Sequence, residues 1–196
     1  NARDVIERQT LHLARLVDDL LDVSRITQGR LQLRRERLDL ATVVENALEA
    51  ARPLIESAGH RLAVTLPEQP VYVNGDLTRL SQVLLNLLNN AAKYTAPEGS
   101  IELAVIREGN GAAIRVHDTG IGIPQDMLRN IFDPFTQVDH SLERTQGGLG
   151  IGLAIAGQLA RMHGGSIEAA SEGPDKGSTF TLSVPIVGAG GLRAAA

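Results

Sequence analysis

The sequence predicts an α/β fold, a two-layer sandwich of helices on a mostly antiparallel mixed sheet, preceded by one long dimerisation-type helix. Three observations lead to this prediction. A heptad pattern runs to about residue 28, helical and strand periodicities alternate after about residue 40, and short strands come in adjacent pairs. Helices that mix with paired strands in one domain are typical of a helix layer packed on an antiparallel sheet.

The N-terminal segment carries an apolar seam along one helix. Two heptad positions form the seam: Ile6, Leu13, Leu20 and Thr27 at one, and Gln9, Leu16 and Val23 at the other. A single helix cannot bury such a seam, so we expect a homodimer through this helix, with a missing neighbour or the rest of the chain as alternative partners. The chain then divides into a partial dimerisation helix at 1–30, a linker at 31–40, a main domain at 41–187 and a tail or linker at 188–196.

The main domain follows in order. A helix covers "ATVVENALEAARPLIESAG", and we expect Pro53 to bend it or to mark a restart. The strands "RLAVTL" and "VYV" precede a second helix, "GDLTRLSQVLLNLLNNAAKY", with Asp76 as its N-cap. "SIELAVIRE" and "AAIRVHD" form an antiparallel pair across an "EGNG" turn. A helix near 151–163 and the strands "SIEAAS" and "STFTLSVPI" complete the domain.

Composition excludes several classes of protein. With no Cys the chain has neither a disulfide nor a thiolate metal site, which is compatible with a reducing cytosol. An aromatic content of 3% and a formal charge of -4 argue against a nucleic-acid partner. The longest apolar runs fall short of the roughly 20 residues that cross a bilayer. Because the chain begins without Met, we expect a cytoplasmic piece of a larger protein, and the sequence leaves membrane anchoring of that protein open.

The helix that contains "NLLNNAAKYT" has two stripes of opposite character. The apolar stripe consists of Leu77, Leu80, Leu84, Leu87, Leu88 and Ala91, and the polar stripe of Gln82, Asn86, Asn89, Asn90 and Lys93. A solvent-facing stripe would favour Glu, Lys or Arg, which are better helix formers than Asn by roughly half a kcal/mol per residue. The amides therefore indicate a ligand.

Two further segments place polar residues or glycines where the local pattern favours apolar residues. In "HDTGIGIP" an apolar strand runs into Asp118, and glycines follow at Gly120 and Gly122. In "GGLGIGLAI" four glycines lead into a helix: Gly147, Gly148, Gly150 and Gly152. Taken alone, each feature has an ordinary explanation, such as a strand-ending turn or a flexible loop.

Together the three segments predict a nucleotide site. Glycines ahead of a helix let backbone N–H groups close on phosphate, and the helix start adds about half a unit of positive charge. Asp118 at a strand end can accept hydrogen bonds from the amine of a base, and the glycines after it leave room for a flat ring. Asn86 and Asn90, four residues apart, offer carbonyl oxygens to a cation such as magnesium, and Lys93 adds a charge for phosphate. Walker, dinucleotide-binding and protein-kinase motifs are absent from the sequence.

The ordered segments resemble the N, G1, F, G2 and G3 boxes of bacterial sensor histidine kinases: "NLLNNAAKYT", "DTGIGIP", "IFDPFTQ", "GGLGIGLAI" and "GST". The ATP-binding domain of that family is related to those of DNA gyrase, heat-shock chaperone ATPases and mismatch-repair proteins. "RQTLHLARLVDDLLDVSRI" resembles the second helix of the family's dimerisation and phosphoacceptor hairpin. The resemblance runs from residue 1 to about 187 and implies ATP and magnesium as ligands, a homodimer, and a response regulator or receiver domain as partner.

The resemblance also implies residue roles. Asn86 and Asn90 would hold magnesium on the triphosphate, Lys93 would contact phosphate, and these three form the expected catalytic set. Tyr94 would lie against the adenine or ribose, and Asp118 would read the adenine amino group. Asn89 fits the polar stripe but matches no fixed box position, so we interpret it as helix surface.

The remaining implied nucleotide-binding residues come from a lid at about 125 to 148, from the boxes on its two sides and from the last box. They are Gly120, Gly122, Phe132, Arg144, Gly148, Leu149, Gly150, Gly152, Leu153 and Thr179. The glycines would shape the pocket floor, bind phosphate and hinge the lid. Phe132 and Phe135 would anchor the lid by packing, and Thr179 would support the pocket from the last box. Leu149 stands where many relatives have Thr or Ser, so a hydroxyl contact is lost there. Arg144 would reach the terminal phosphate or remain a solvated loop charge.

The amide at Asn86 points to a reaction class. In the related ATPases a Glu at this place activates water, whereas an amide has no useful basicity. Phosphoryl transfer to a nucleophile from elsewhere is therefore expected. In the family this nucleophile is a His on the first helix of the hairpin, and we expect that helix to be absent here. His12 lies on the second helix without the acidic neighbour of the family's motif, so we expect no phosphoacceptor in this chain.

Three functions remain open from the sequence. The first is the ATP-binding catalytic domain of a histidine autokinase. The second is a non-catalytic module that senses ATP or dimerises, and the third is a slow ATPase of the gyrase type.

Overall fold

The computed structural model describes Thr10, Val17 and residues 20–26, 28–136 and 150–187. Thr10, Val17 and residues 20–26 are helical, as the heptad pattern predicts. The rest of the predicted N-terminal helix, including His12, lies outside the described residues. None of the described helices combines the length and the apolar character that crossing a bilayer requires.

Two sheets are formed by seven strands within the described residues: β1 (Glu36–Asp39), β2 (Arg61–Thr65), β3 (Tyr72–Gly75), β4 (Ser100–Glu108), β5 (Gly111–Asp118), β6 (Ser166–Ala170) and β7 (Ser178–Pro185). The main sheet has the order β2-β4-β5-β7-β6, with β2 parallel to β4 and the other neighbours antiparallel. Strands β1 and β3 form a separate antiparallel pair. The predicted mostly antiparallel mixed sheet is thus confirmed.

Helices cover one face of the main sheet: α1 (Leu40–Ser57), α2 (Leu77–Tyr94) and α3 (Gly152–Met162). Helices α2 and α3 pack on the sheet, and α1 packs against α2. Strand β5 shows the two-sided pattern: Ile114 and Val116 are buried towards the helices, whereas Arg115 between them is exposed. This alternation follows from the two-residue period of a strand. The predicted two-layer sandwich is therefore confirmed.

Helix α1 is a single element that contains Pro53. The expected restart at the proline does not occur, and the alternative, a bend at the proline, stays a prediction. A proline in a helix interior costs about 3 kcal/mol or more because it removes a hydrogen bond and crowds the preceding turn. Ala51 and Ile55, on the two sides of Pro53, are both buried in the core. The burial of these residues offsets the free-energy cost of proline in the helix. The sequence around Pro53 does not reveal this burial.

A buried polar cluster joins the start of α2 to the end of α3. The Asp76 side chain caps α2 by accepting from Arg79 N at 3.1 Å, as predicted, and it also accepts from Arg34 N at 2.8 Å. The Asp76 backbone N–H lies 3.1 Å from His163 Nε2, and His163 Nδ1 lies 2.7 Å from Leu159 O. Since Asp76 N must donate, Nε2 accepts and Nδ1 carries the proton. The neutral imidazole therefore fits this cluster.

Burial lowers the pKa of His163 from its usual 6.5, and the nearby Arg35 charge acts in the same direction. The hydrogen bond to Leu159 O and the charge of Asp76 oppose this shift. Protonation of Nε2 would also replace the acceptor for Asp76 N with a second donor. The folded state consequently favours the neutral ring.

We predict that His163 makes the stability of the domain depend on pH. Because the pKa is lower in the folded state, the unfolded state binds more protons below pH 6.5, so the contribution is present above 6.5 and is lost as pH falls towards the folded pKa. His163→Gln keeps an acceptor for Asp76 N but removes the titration. Urea unfolding from neutral pH to about pH 5 should show a smaller loss of unfolding free energy in this variant than in the parent. An equal loss in both proteins would contradict the assignment.

Candidate functional site

Helix α2 forms the wall from which the predicted site is built. Its apolar stripe packs into the core, and Leu84, Leu87 and Leu88 are all fully buried. On the other side Asn86 and Asn90 are half-buried, one turn apart. Because the leucines fix the rotation of the helix, the two amides share one side of it, and Asn86 reaches the start of α3.

The first end of the site lies where α2 meets the glycine-rich start of α3. Asn86 Nδ2 donates to Gly152 O at 3.0 Å, so the amide from the N box and the first residue of α3 are in direct contact. Gly150 has φ +69°, and a Cβ there would lie 2.9 Å from Thr136 O. Gly150 O also accepts from Phe135 N at 3.0 Å. The backbone approach to α3 therefore requires glycine, and the positive end of the α3 dipole lies beside Asn86.

The second end is built around the buried carboxylate of Asp118. Its Oδ1 accepts from Gly120 N at 2.8 Å, and its Oδ2 accepts from Ser178 Oγ at 2.5 Å. Tyr94 O, at the end of α2, accepts from Ile121 N at 3.1 Å and thereby holds the loop after β5 against the helix. Two donors fix the orientation of the Asp118 carboxylate, and each oxygen keeps lone-pair capacity for a further donor.

Helix α2 links these two ends across a distance suited to a nucleotide. Asn86 and Tyr94 are eight residues apart, which corresponds to about 12 Å along a helix. Lys93 lies between the two ends in sequence, and its Nζ is 3.1 Å from Tyr94 Oη and 4.7 Å from the centroid of the Tyr94 ring. The predicted phosphate-side residue Asn86 and the predicted base-side residue Tyr94 thus lie on the same helix. The start of α3 contacts this helix near Asn86, and the loop after Asp118 contacts it at Tyr94.

Two predicted pocket glycines are required by the packing of the loop after β5. A Cβ at Gly120 would lie 2.4 Å from Tyr94 O, and a Cβ at Gly122, which has φ +69°, would lie 2.1 Å from Gly173 O. The space that a side chain would need at either residue is therefore occupied by the backbone of the protein itself. These glycines allow the loop to pack closely beside Asp118, and the expectation that a flat ring approaches their backbone stays a prediction.

The last box contributes a different hydroxyl from the one predicted. Thr179 pairs with His117 across the sheet, and its Oγ1 lies 3.0 Å from His117 Nδ1, on the face away from the helices. Ser178, one residue earlier, is buried and bonds Asp118. Gly177 before it has φ +68°, and a Cβ there would lie 2.0 Å from Asp118 O. The predicted pocket support by Thr179 is therefore replaced by Ser178, which the alternation of buried residues along β7 could have identified.

The aromatic residues of the F box take separate positions. Phe132 is half-buried and packs edge-on against Phe180, with ring centroids 6.4 Å apart and an interplanar angle of 86°. Phe135 has φ +67° and is 65% exposed, so it does not pack into the core, and its predicted contact with the rest of the lid lies outside the described residues. Leu153 is half-buried on α3 and packs against the core. The predicted positions Arg144, Gly148 and Leu149 lie outside the described residues.

The described residues suit a magnesium ion that is held largely by phosphate and water. They contain no cluster of three or more His, Cys, Asp or Glu side chains that could form a complete metal site. Asn86 and Asn90 offer neutral oxygen donors on one helix face, and the bond from Asn86 Nδ2 to Gly152 O leaves its Oδ1 as the remaining ligand atom. Magnesium commonly takes one or two protein oxygens together with substrate phosphates. The two amides therefore fit the ion that the sequence implies.

Comparisons with known proteins address the family directly. A family model described as histidine kinase-, DNA gyrase B- and HSP90-like ATPase matches residues 75–188. The chain belongs to this family. The matched range begins just before α2 and contains every box segment that the sequence resemblance identified. That resemblance is thereby confirmed.

Relatives from this family narrow the assignment. The circadian input-output histidine kinase CikA of Synechococcus elongatus is 42% identical over 89% of this chain and 23% of its own length. The sensor histidine kinase RcsC of Escherichia coli is 39% identical over 90% of this chain and 18% of its own length. The chain thus spans about a fifth of these curated relatives. The chain therefore contains a catalytic ATP-binding domain of the histidine kinase type.

Solved histidine kinases share the fold. Histidine kinase AdeS of Acinetobacter baumannii superposes with a TM-score of 0.75 at 27% identity, covering 94% of this chain and 84% of that chain. Full-length ShkA in complex with AMPPNP superposes with a TM-score of 0.78 at 29% identity, covering 91% of this chain and 36% of that chain. The helix-on-sheet arrangement is therefore that of histidine kinase catalytic domains.

We predict that Ser178, and not Thr179, supports nucleotide binding. Ser178→Ala removes one of the two donors that orient the Asp118 carboxylate, whereas Thr179→Ala changes a neighbouring hydroxyl on the opposite face of the sheet. Isothermal titration with ATP should show a weaker affinity for Ser178→Ala by about 3- to 10-fold, as expected for one hydrogen bond, and an unchanged affinity for Thr179→Ala. Equal losses in both variants would contradict the placement.

Proposed function

We propose that this catalytic domain binds Mg-ATP in the cleft beside α2 and transfers the γ-phosphoryl group to a histidine on a separate helix. The observation that carries the proposal is that helix α2 contacts two other segments of the predicted site. Asn86 of α2 contacts Gly152 at the start of α3, and the C-terminal end of α2 lies beside Asp118 at the end of β5. Phosphates and base would then occupy opposite ends of one continuous site.

Phosphate binding is supported by charge and backbone direction. Helix α3 begins after Ile151, whose apolar side chain cannot cap it, so its first N–H groups could bind an anion, and the helix dipole adds positive charge there. Asn86 and Asn90 would hold magnesium against the phosphates, and Lys93 would contact a phosphate oxygen. Bound magnesium would neutralise the charge that develops during phosphoryl transfer. The chain's own residues would position the triphosphate for attack.

Phosphoryl transfer is favoured over hydrolysis because the site offers no general base at the position nearest the predicted metal. Asn86 is a neutral amide, and its Nδ2 is already engaged with Gly152 O. Such a group can position a ligand but cannot remove a proton from water. The nucleophile must therefore come from outside the cleft, and a histidine imidazole needs no prior activation of this kind.

The described histidines are poor candidates for the acceptor. His163 is buried in the joint between α2 and α3, and His60 is buried with its Nε2 3.0 Å from Ala92 O. His117 is half-buried and bonds Ser178 O and Thr179 Oγ1 on the outer face of the sheet. We therefore propose that the acceptor is a histidine on the partner helix of the N-terminal segment, within a homodimer, and that a response regulator or receiver domain accepts the phosphoryl group next.

We predict that Asp118 selects adenine by its exocyclic amine. The carboxylate can accept from the 6-amino group of ATP, whereas inosine triphosphate presents an oxygen acceptor at the same place. The parent should bind ATP more tightly than inosine triphosphate by on the order of 10- to 100-fold, the range for a hydrogen bond to a charged group. Asp118→Asn should lose most of this preference, because an amide can donate as well as accept. Competition of unlabelled nucleotides against a fluorescent ATP analogue with magnesium present would measure both affinities.

The control for this experiment is Thr179→Ala, whose side chain lies on the outer face and should leave the preference intact. Thermal unfolding of Asp118→Asn should accompany the titration, because its amide could face the Gly120 N–H with a donor. A folded Asp118→Asn protein that retains the parent preference would remove the adenine assignment.

We predict slow phosphate release and efficient histidine transfer. The chain incubated with Mg-ATP should release little phosphate, while a longer protein that supplies the acceptor helix should form acid-labile, base-stable phosphohistidine. Asn90→Ala should abolish the second reaction by removing a magnesium ligand. Steady phosphate release that is sensitive to Asn86→Ala would instead support a slow ATPase, and ATP binding without phosphohistidine in the longer protein would support a nucleotide-sensing module.

A further inference from the structure

A partly buried ion pair joins the N-terminal helical segment to α2. Asp22 lies in the helical stretch 20–26, and its Oδ2 accepts from Arg79 Nη1 at 2.6 Å and from Gln82 Nε2 at 2.9 Å. The Asp22 side chain is 10% exposed and that of Arg79 is 21% exposed. By contrast, the side chains of the Arg52–Glu56 pair are 61% and 65% exposed. Burial reduces the solvent screening that makes most surface pairs weak.

The contact lies at one end of the polar stripe of the predicted nucleotide site. Gln82 and Asn86 are one helical turn apart on α2, a separation of roughly 5–6 Å between Cβ atoms. Gln82, which donates to Asp22, is thus the neighbour of Asn86, whose amide contacts the start of α3. The end of the N-terminal helical segment is therefore held against the phosphate side of the cleft, away from the Asp118 side.

Apolar packing and the following segment support the same placement. Val23 and Ile26 are half-buried and pack against the core. Further along, Arg34 N donates to the Asp76 carboxylate, and Arg35 Nη2 donates to Met162 O at 2.5 Å. Contacts on both sides of residues 28–33 hold the connection to the domain. The ion pair also fixes the orientation of the N-terminal helical segment on α2, because the Asp22 carboxylate must meet two specific donors.

We propose that Asp22 is a positioning residue that locks the N-terminal helical segment onto α2 beside the phosphate end of the cleft. This inference rests on the proposed function in one respect: the segment that Asp22 locks belongs to the helical unit that would present the acceptor histidine. Asp22 does not touch nucleotide or metal in this arrangement. Its effect on phosphoryl transfer acts through the orientation of one helix relative to the other.

Because the chain contains no Cys, spin labels attach only at introduced cysteines, and dilution with excess unlabelled chain removes the distances between protomers of the proposed homodimer. Spin labels on Arg25→Cys and Glu49→Cys, both exposed positions, would report the separation of the N-terminal segment and α1 by pulsed dipolar spectroscopy. The parent should give one narrow distance distribution. Asp22→Ala should broaden it, and the charge-exchanged double variant Asp22→Arg/Arg79→Asp should narrow it again. Glu108→Ala, which breaks the exposed pair with Arg115, is the matched control and should leave the distribution unchanged.

Nucleotide titration separates this proposal from the proposed function. Asp22→Ala should bind Mg-ATP as the parent does, since the predicted ligands are intact. In the longer protein with its acceptor helix, Asp22→Ala should lower kcat for phosphohistidine formation by about tenfold with KM for ATP unchanged, and the double variant should recover activity. An unchanged distance distribution, or a change in KM with constant kcat, would overturn the positioning role. A failure of the parent to bind ATP would instead overturn the proposed function. The distance measurement would then still test whether Asp22 positions the N-terminal helical segment on α2.

Discussion

The arrangement depends on the burial of one face of α2. Leu80, Leu84, Leu87 and Leu88 are all within 1% of complete burial, and the helix that carries them packs against α1, α3 and strand β5. Fully burying a leucine contributes roughly 1.5–3 kcal/mol, so rotation of this helix about its axis would be very costly. The polar stripe is consequently fixed without help from a ligand. Preorganised groups of this kind need little further ordering when a substrate arrives.

Both ends of α2 are joined to a different part of the chain. At the start, Asp76 bonds the segment before β1 and His163 at the end of α3. At the end, Tyr94 O holds the loop that follows Asp118. The proposed site is therefore bounded by elements that are far apart in sequence but are each attached to the same helix. A change in the position of α2 would move the phosphate side and the base side together, which makes the helix the common reference for the site.

Sequence patterns predict a feature of the site correctly where it depends on one short segment. Asp76 and the two stripes of α2 could be predicted because a cap and a helical period are properties of one short segment. The pocket-supporting role that the resemblance implies for Thr179 fits Ser178 instead, because a shift of one residue in a strand moves a side chain to the other face. Phe180 and Leu182 mark the buried face of β7 and place Ser178, not Thr179, on the same side as Asp118.

Other features depend on contacts between distant segments and were not accessible to local patterns. A glycine in a sequence does not reveal whether a ligand or the protein's own backbone fills the space above it, and at Gly122 that space is filled by Gly173 O. Pro53 is retained within α1 because residues on both sides of it are buried. The contact of Asp22 with Arg79 joins residues 57 positions apart and has no periodic signature. Tertiary packing decides each of these cases, as it commonly overrides propensity.

The neutral amide at Asn86 connects the fold to the reaction that the site supports. Asn86 Nδ2 donates to Gly152 O, so the residue at this place must present a donor to the backbone at the start of α3. An ionised Glu has no donor, and its oxygens would oppose that carbonyl oxygen in a partly buried position, where the repulsion is less screened than in water. The contact that attaches α3 to α2 is thus incompatible with the carboxylate that activation of water would require. The same hydrogen bond, at the proposed phosphate end of the site, therefore supports the proposed transfer to an external nucleophile over hydrolysis.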